Sequence, residues 1–159
     1  MQELIKKIEQ WAIDRELDKK ATVEAQSIKT AEEMAELIIG ISKDNIDVIK
    51  DSIGDVFVTL VIGNMIDKKH DLMKILSETA TIEYDEDKRR LISLTGLNIM
   101  NKIAMSYNET FILWSIKNLQ MVCKFYNLDF TECVQYAYNE IKDRKGKTVN
   151  GQFIKESDL

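Results

Sequence analysis

The sequence predicts an all-α protein, a single-domain helical bundle, on three observations. Apolar residues recur at three- and four-residue spacing along most of the chain, the pattern of helices with one buried face. Proline is absent and 6 of the 159 residues are glycine, so little interrupts a helix. Only one segment reads strongly as a strand, and a lone strand is not stable.

The elements follow in order. Leu4, Ile5, Ile8, Trp11, Ala12 and Arg15 recur at helical spacing, which predicts a first amphipathic helix over residues 2 to 17. "DKKAT" at 18–22 reads as a break, and Thr22 is placed to start a second helix that runs to about Lys43. "KDN" punctuates again, and a third helix is expected from Asn45 to Lys68. Its "DVFVTLVIG" stretch is rich in β-branched and aromatic residues, which favour strands. No comparable partner strand is found, and a helix buried on nearly every side accounts for the same composition. Further helices are expected near 71–80, 86–106, 109–126 and 130–143, the last capped by Asp129.

A chain of 18.4 kDa with 45% hydrophobic residues suits one domain with one sizeable core. The net charge of -5 argues against broad binding to a nucleic acid polymer. The N-terminus has no uninterrupted apolar run of a signal peptide, and the longest apolar stretch, Val56 to Ile62, is far short of a membrane span. Cys123 and Cys133 match no metal or redox spacing, and read as reduced core thiols of a cytoplasmic protein. No P-loop pattern is present.

The acids carry the functional signal. On a helical wheel Met34, Leu37, Ile38 and Ile41 form the apolar sector of the second helix, while Lys29, Glu33, Glu36 and Gly40 form a separate stripe with Glu32 at its edge. Such a stripe alone suits a solvated face with a Lys–Glu pair. Asp51 and Asp55 on the next helix are different, because they share a face with Val48, Val58 and Ile62. Taking an ion out of water costs about several kcal/mol, and like charges four residues apart on a helix repel. No Lys or Arg lies between Asp51 and Lys68 to neutralise them from within the helix. Two antiparallel helices would set Glu33 and Glu36 opposite Asp51 and Asp55. A hard divalent cation such as Mg²⁺, for which Mn²⁺ can stand in, is an economical source of the missing charge; a Lys or Arg from later in the chain is the other. Di-iron is disfavoured, since such bundles use Glu-x-x-His and the single histidine, His70, lies off these stripes.

"EEMAEL" followed by "DSIGDVFVTL" resembles the MazG-like branch of the all-α NTP pyrophosphohydrolases, which carry Glu-Glu-x-x-Glu on one helix and Glu-x-x-Asp on the next. The tail "AYNEIKDRKGKTVNGQFIKE" is similar to that of small MazG-like proteins common in phages and their Gram-positive hosts. The matches cover the second and third helices and the last 20 or so residues, while 68 to 128 contributes only helical character. One departure stands out: Ser52 occupies the position of the second motif's Glu, and Asp51 is placed to substitute for it.

The resemblance implies a helical bundle of the all-α NTP pyrophosphohydrolase type and Mg²⁺-dependent hydrolysis of a nucleoside triphosphate to the monophosphate and pyrophosphate. Glu33, Glu36 and Asp55 are the expected metal ligands, with Asp51 a fourth; Glu32, Glu33 and Glu36 form the catalytic group, Glu32 being a candidate general base. It raises Lys29, Arg144 and Lys145 to triphosphate contacts, although cations near Gly146 also suit a helix C-terminus. Trp11 can stack a base or serve as core. Phe57, Leu60 and Val61 face away from the Val48–Ile62 stripe, and their burial between subunits, with the family's habit, leads us to expect a homodimer or homotetramer whose sites the neighbour's basic tail can complete. The rival expectation is a non-catalytic helical binding or dimerisation module with a degenerate metal site.

Overall fold

Polar caps divide the chain into its helices. The computed structural model describes residues 1–67, 69–79, 87–104 and 106–158. Among them are α1 (Gln2–Asp14), α2 (Leu17–Lys20), α3 (Val23–Lys43), α4 (Ile46–Ile66), α5 (Leu72–Thr79), α6 (Lys88–Ala104), α7 (Glu109–Phe125) and α8 (Phe130–Ile141). A hairpin of β1 (Gly146–Val149) and β2 (Gln152–Lys155) follows, then a 3-10 turn at Glu156–Asp158. The all-α expectation holds, with this small hairpin added. Of the expected helix ranges, positions 68, 80, 86 and 105 lie outside the described residues.

Side-chain oxygens satisfy the free N–H groups that each helix start leaves. Thr22 Oγ1 accepts from the Ala25 amide at 3.1 Å, Asn108 Oδ1 from Phe111 at 2.8 Å, and Asp129 Oδ1 from Glu132 at 2.8 Å. The first helix ends earlier than its apolar pattern suggests. Glu16 takes a left-handed φ of 58°, and α2 then turns Leu17 into the core, so Asp18 to Lys20 are helical where a break was expected.

α4 is the hub. It packs against α3, α8, α1 and α7, and every residue from Val56 to Asn64 is buried. The strand-like composition of "DVFVTLVIG" is therefore that of a central helix, whose neighbours cover its whole circumference. Phe57, Leu60 and Val61 are fully buried within the single chain, with the Phe130 ring edge-on to Phe57 at 5.2 Å. That corrects the expectation that these three need a second subunit: the helices packed around α4 cover them, with Phe130 of α8 against Phe57. A Cβ on Gly54 would lie 2.4 Å from the Cys133 carbonyl oxygen, so glycine lets α8 cross α4 at backbone contact.

A two-residue turn at Asp44 and Asn45 joins α3 to α4. Gln26 Nε2 donates to the Thr59 carbonyl at 3.2 Å near one end of the pair, and Gly40 abuts Val48 and Ile49 near the other. These contacts fix an antiparallel register that sets Glu33 level with Asp55 and Glu36 level with Asp51. Tyr107, buried between α6 and α7, braces α3 from behind. Its hydroxyl lies 2.6 Å from Thr30 Oγ1 and donates to the Gln26 carbonyl at 2.9 Å.

The tail departs from the expected helix stop. At Asn150 and Gly151 φ is 51° and 85°, and Val149 faces Gln152 across the ladder, the geometry of a two-residue hairpin turn. Asn-Gly is the residue pair that such a turn requires, since both positions need positive φ.

Candidate functional site

Each acid reaches the site through helical spacing. α3 presents Gln26, Lys29, Glu33 and Glu36 on successive turns of one face, and α4 answers with Thr59, Asp55 and Asp51. Together they form one side of a cavity of about 620 Å³, within the roughly 300–1,000 Å³ range of small-molecule sites. The other side is made by Trp11 of α1, Ile141 and Arg144 at the end of α8, and the hairpin residues Gln152 to Lys155.

The acids expected from the sequence therefore converge: Glu32, Glu33, Glu36, Asp51 and Asp55 all line this one cavity. So do Lys29 and Arg144. Lys145 does not; its side chain is exposed, and its carbonyl accepts from the Glu156 amide at 2.9 Å. Ser52, at the position where the MazG-like motif has Glu, is buried away from the cavity, while Asp51 lines it. Trp11 is buried, its indole N–H donating to the Ile141 carbonyl at 2.7 Å. The hairpin that forms this other side belongs to the same chain as the acids.

Charge is unevenly matched across the cavity. Lys29 Nζ lies 2.6 Å from Glu33 Oε1 and 3.3 Å from Glu32 Oε2, ion pairs of the kind that helical spacing favours. Burial works against the Lys29 ammonium, but the bond to Glu33 and the charges of Glu33 and Glu32 outweigh it and raise its pKa. Five carboxylates still face three cationic side chains, Lys29, Arg144 and Lys155. Burial, then the charge of Glu33, pushes the Glu36 carboxyl upward, with Asp51 and Glu32 adding to it against Lys29. Burial, Glu33 and Glu140 likewise raise Asp51, against the pull of Arg144. Asp55 is pushed up to about 7, by burial first and then by the charges of Glu33 and Asp51, which Arg144 and Lys29 only partly offset.

Such a set of carboxylates is short of positive charge. Among the described residues no three Asp, Glu, His or Cys side chains form a preformed metal cage. Mg²⁺ does not demand one, since it binds through one or two carboxylates and completes its shell with water and phosphate. Carboxylate oxygens are hard donors, so one or two of Glu33, Glu36, Asp51 and Asp55 at a time suit such an ion.

Three contributors were not singled out in the sequence: Gln26 and Thr59 on the helical side, and the hairpin with Lys155. The hairpin had a signal in Asn150-Gly151 between alternating residues. Gln26 and Thr59 had only their place on the acid stripes, one or two turns from Lys29 and Asp55.

Fold and site together define a class: a small helical protein whose central antiparallel helix pair turns an acidic stripe into a partly enclosed cavity. The chain belongs to the same family as a protein of Haemophilus phage HP1 (strain HP1c1) described as an uncharacterized 18.2 kDa protein in the rep-hol intergenic region. The two are 33% identical over 161 residues, spanning 86% of this chain and 97% of the relative. No family model matches the chain, and no solved structure matches it. Among the described residues no helix is long and apolar enough to cross a membrane.

Proposed function

We propose that this protein is a MazG-like nucleotide pyrophosphohydrolase, cleaving a nucleoside triphosphate, ribo or deoxy, to the monophosphate and pyrophosphate. One observation carries the reading: a single cavity joins five carboxylates on α3 and α4 to Arg144 and Lys155 on the opposite wall. The carboxylates suit a cation and the basic wall suits an anion, which is the pairing that a metal–triphosphate complex needs.

Glu33, Glu36, Asp51 and Asp55 would hold Mg²⁺. Bound there, the ion supplies charge neutralisation on phosphate oxygens and lowers the pKa of an attacking water. Arg144, Lys155 and Lys29 bind and orient the anionic end of the substrate. Glu32, exposed at the cavity's edge beside Lys29, is the candidate base. A water oxygen bonds to the α-phosphorus as the bond from that phosphorus to the bridging oxygen breaks. The water's proton passes to the base, and pyrophosphate leaves.

Incubation with a panel of NTPs and dNTPs and Mg²⁺ or Mn²⁺, with pyrophosphate release as the readout, tests the reading. Release from at least one nucleotide, abolished by EDTA, is expected; release from none overturns it. The rival, a non-catalytic helical module, draws support from the Lys29 bridges to Glu32 and Glu33. Mn²⁺ binding without turnover would favour that rival. The proposal includes a cytoplasmic homodimer or homotetramer. Exposed Leu97, Met100 and Trp114 on α6 and α7 support the assembly, and the free thiols Cys123 and Cys133 suit a reducing compartment. A stable 18.4 kDa species in light scattering would refute the assembly.

A further inference from the structure

Arg15 caps the C-terminal end of α1, in line with that helix's apolar stripe, where a charge needs a reason. Its guanidinium packs over the Trp11 ring at 4.4 Å and forks onto the tail. Nε and Nη2 donate to the Arg144 carbonyl at 3.0 and 2.6 Å, and Nη2 also reaches the Lys142 carbonyl at 3.3 Å. Nη1 donates back to the Trp11 carbonyl at 3.1 Å. The carbonyl of Arg15 in turn accepts from Thr148 Oγ1 at 3.0 Å, so this residue grips the hairpin at its root and along β1. The Trp11 ring meets Phe153 edge-on at 5.3 Å, and Gly151 sits beside Thr22 at the start of α3.

A planar fork satisfies several carbonyls at once, and a cation suits the carbonyl end of α8. The residue held most tightly by this fork is Arg144, whose side chain lines the cavity facing Asp51 and Asp55. We propose that Arg15 is a positioning residue that straps the C-terminal hairpin onto α1 and thereby aims Arg144 into the cavity as a contact for the anionic end of the ligand. This inference rests on the triphosphate reading of the site, which it deepens. Arg15 acts through Arg144, and its effect depends on the presence of that side chain.

The test uses the full chain with inorganic triphosphate and Mn²⁺ in titration calorimetry, nucleotide kinetics, and hydrogen exchange of the hairpin. Arg144→Gln removes a charge-assisted contact and is expected to weaken triphosphate binding by about tenfold or more. Arg15→Gln is expected to give a similar loss, to raise KM more than it lowers kcat, and to speed exchange across 146–155 while α3 and α4 stay protected. The double variant should bind no worse than Arg144→Gln alone, because residues acting through one contact are not additive. Arg15→Lys, which keeps the charge and loses the fork, should recover only part of the affinity. Additive losses, or unchanged triphosphate binding in Arg15→Gln, would overturn the inference. A wild-type chain that binds no triphosphate would also remove the role given to Arg144. If nucleotides are not hydrolysed but triphosphate binds with this variant pattern, the reaction fails and the positioning role stands.

Discussion

The two sides of the cavity are built on different principles. The acidic side belongs to two 21-residue helices whose period alone puts Glu33 and Glu36 on one face and Asp51 and Asp55 on another. The basic side belongs to a short tail with no such period. Arg144 follows the last turn of α8 and is placed by contacts from α1, more than a hundred residues away in sequence. Side chains on a long helix inherit their geometry from the backbone. Those on a tail need ties, and each tie is a separate point of failure.

The largest expected effect falls on the helical side. Glu36→Gln and Asp55→Asn should each lower pyrophosphate release by about 100-fold or more, since in the proposed function each removes a charge that would meet the metal ion. The helical fold should persist in both by circular dichroism. Wild-type turnover in both would remove the metal assignment.

The same carboxylate governs stability without metal. The folded Asp55 carboxyl holds its proton up to about pH 7, whereas an unfolded Asp releases it near about pH 4. Its contribution is therefore fully present below the lower value and is lost as pH rises through the window between them. Glu36 and Asp51 shift in the same direction. Asp55→Asn should raise the metal-free melting temperature at pH 8, by roughly 5 °C or more, with most of the gain gone at pH 5. A melting temperature that is unchanged at pH 8 would show that the acids are already compensated.

A smaller effect is expected on the tail. Gly151→Ala puts a Cβ at a φ of 85° and 3.1 Å from the Thr22 side chain, at a cost of about 1 kcal/mol or more. Faster hydrogen exchange in the hairpin, with the helices unaffected, would show the loss to be local. If exchange speeds equally in α3 and α4, the two sides form one cooperative unit and the contrast fails. The smallest effect belongs to Lys145, exposed and outside the cavity: Lys145→Gln should change KM by less than about twofold, against the larger rise for Arg144→Gln. Equal effects would mean that the tail acts by charge alone, with no placement.

The sequence by itself determined the helical architecture and the acidic stripes. Helix period, polar caps such as Thr22 and Asp129, and the absence of proline are local properties, so they can be read without knowing what packs where. Acids among apolar residues marked the stripes that line the cavity for the same reason. Two further signals were equally local: Arg15 in register with the apolar stripe of α1, and Asn150-Gly151 in the tail. Tertiary structure decided what the local pattern leaves open. It packed α3, α8, α1 and α7 around α4, so that Phe57, Leu60 and Val61 are buried in one chain. It folded the hairpin back against α1, α2 and the start of α3, and so separated Arg144, which lines the cavity, from Lys145, which does not. Neighbouring residues in a tail have nearly the same sequence context, and only long-range contacts, which no period encodes, settle which of them faces the acids.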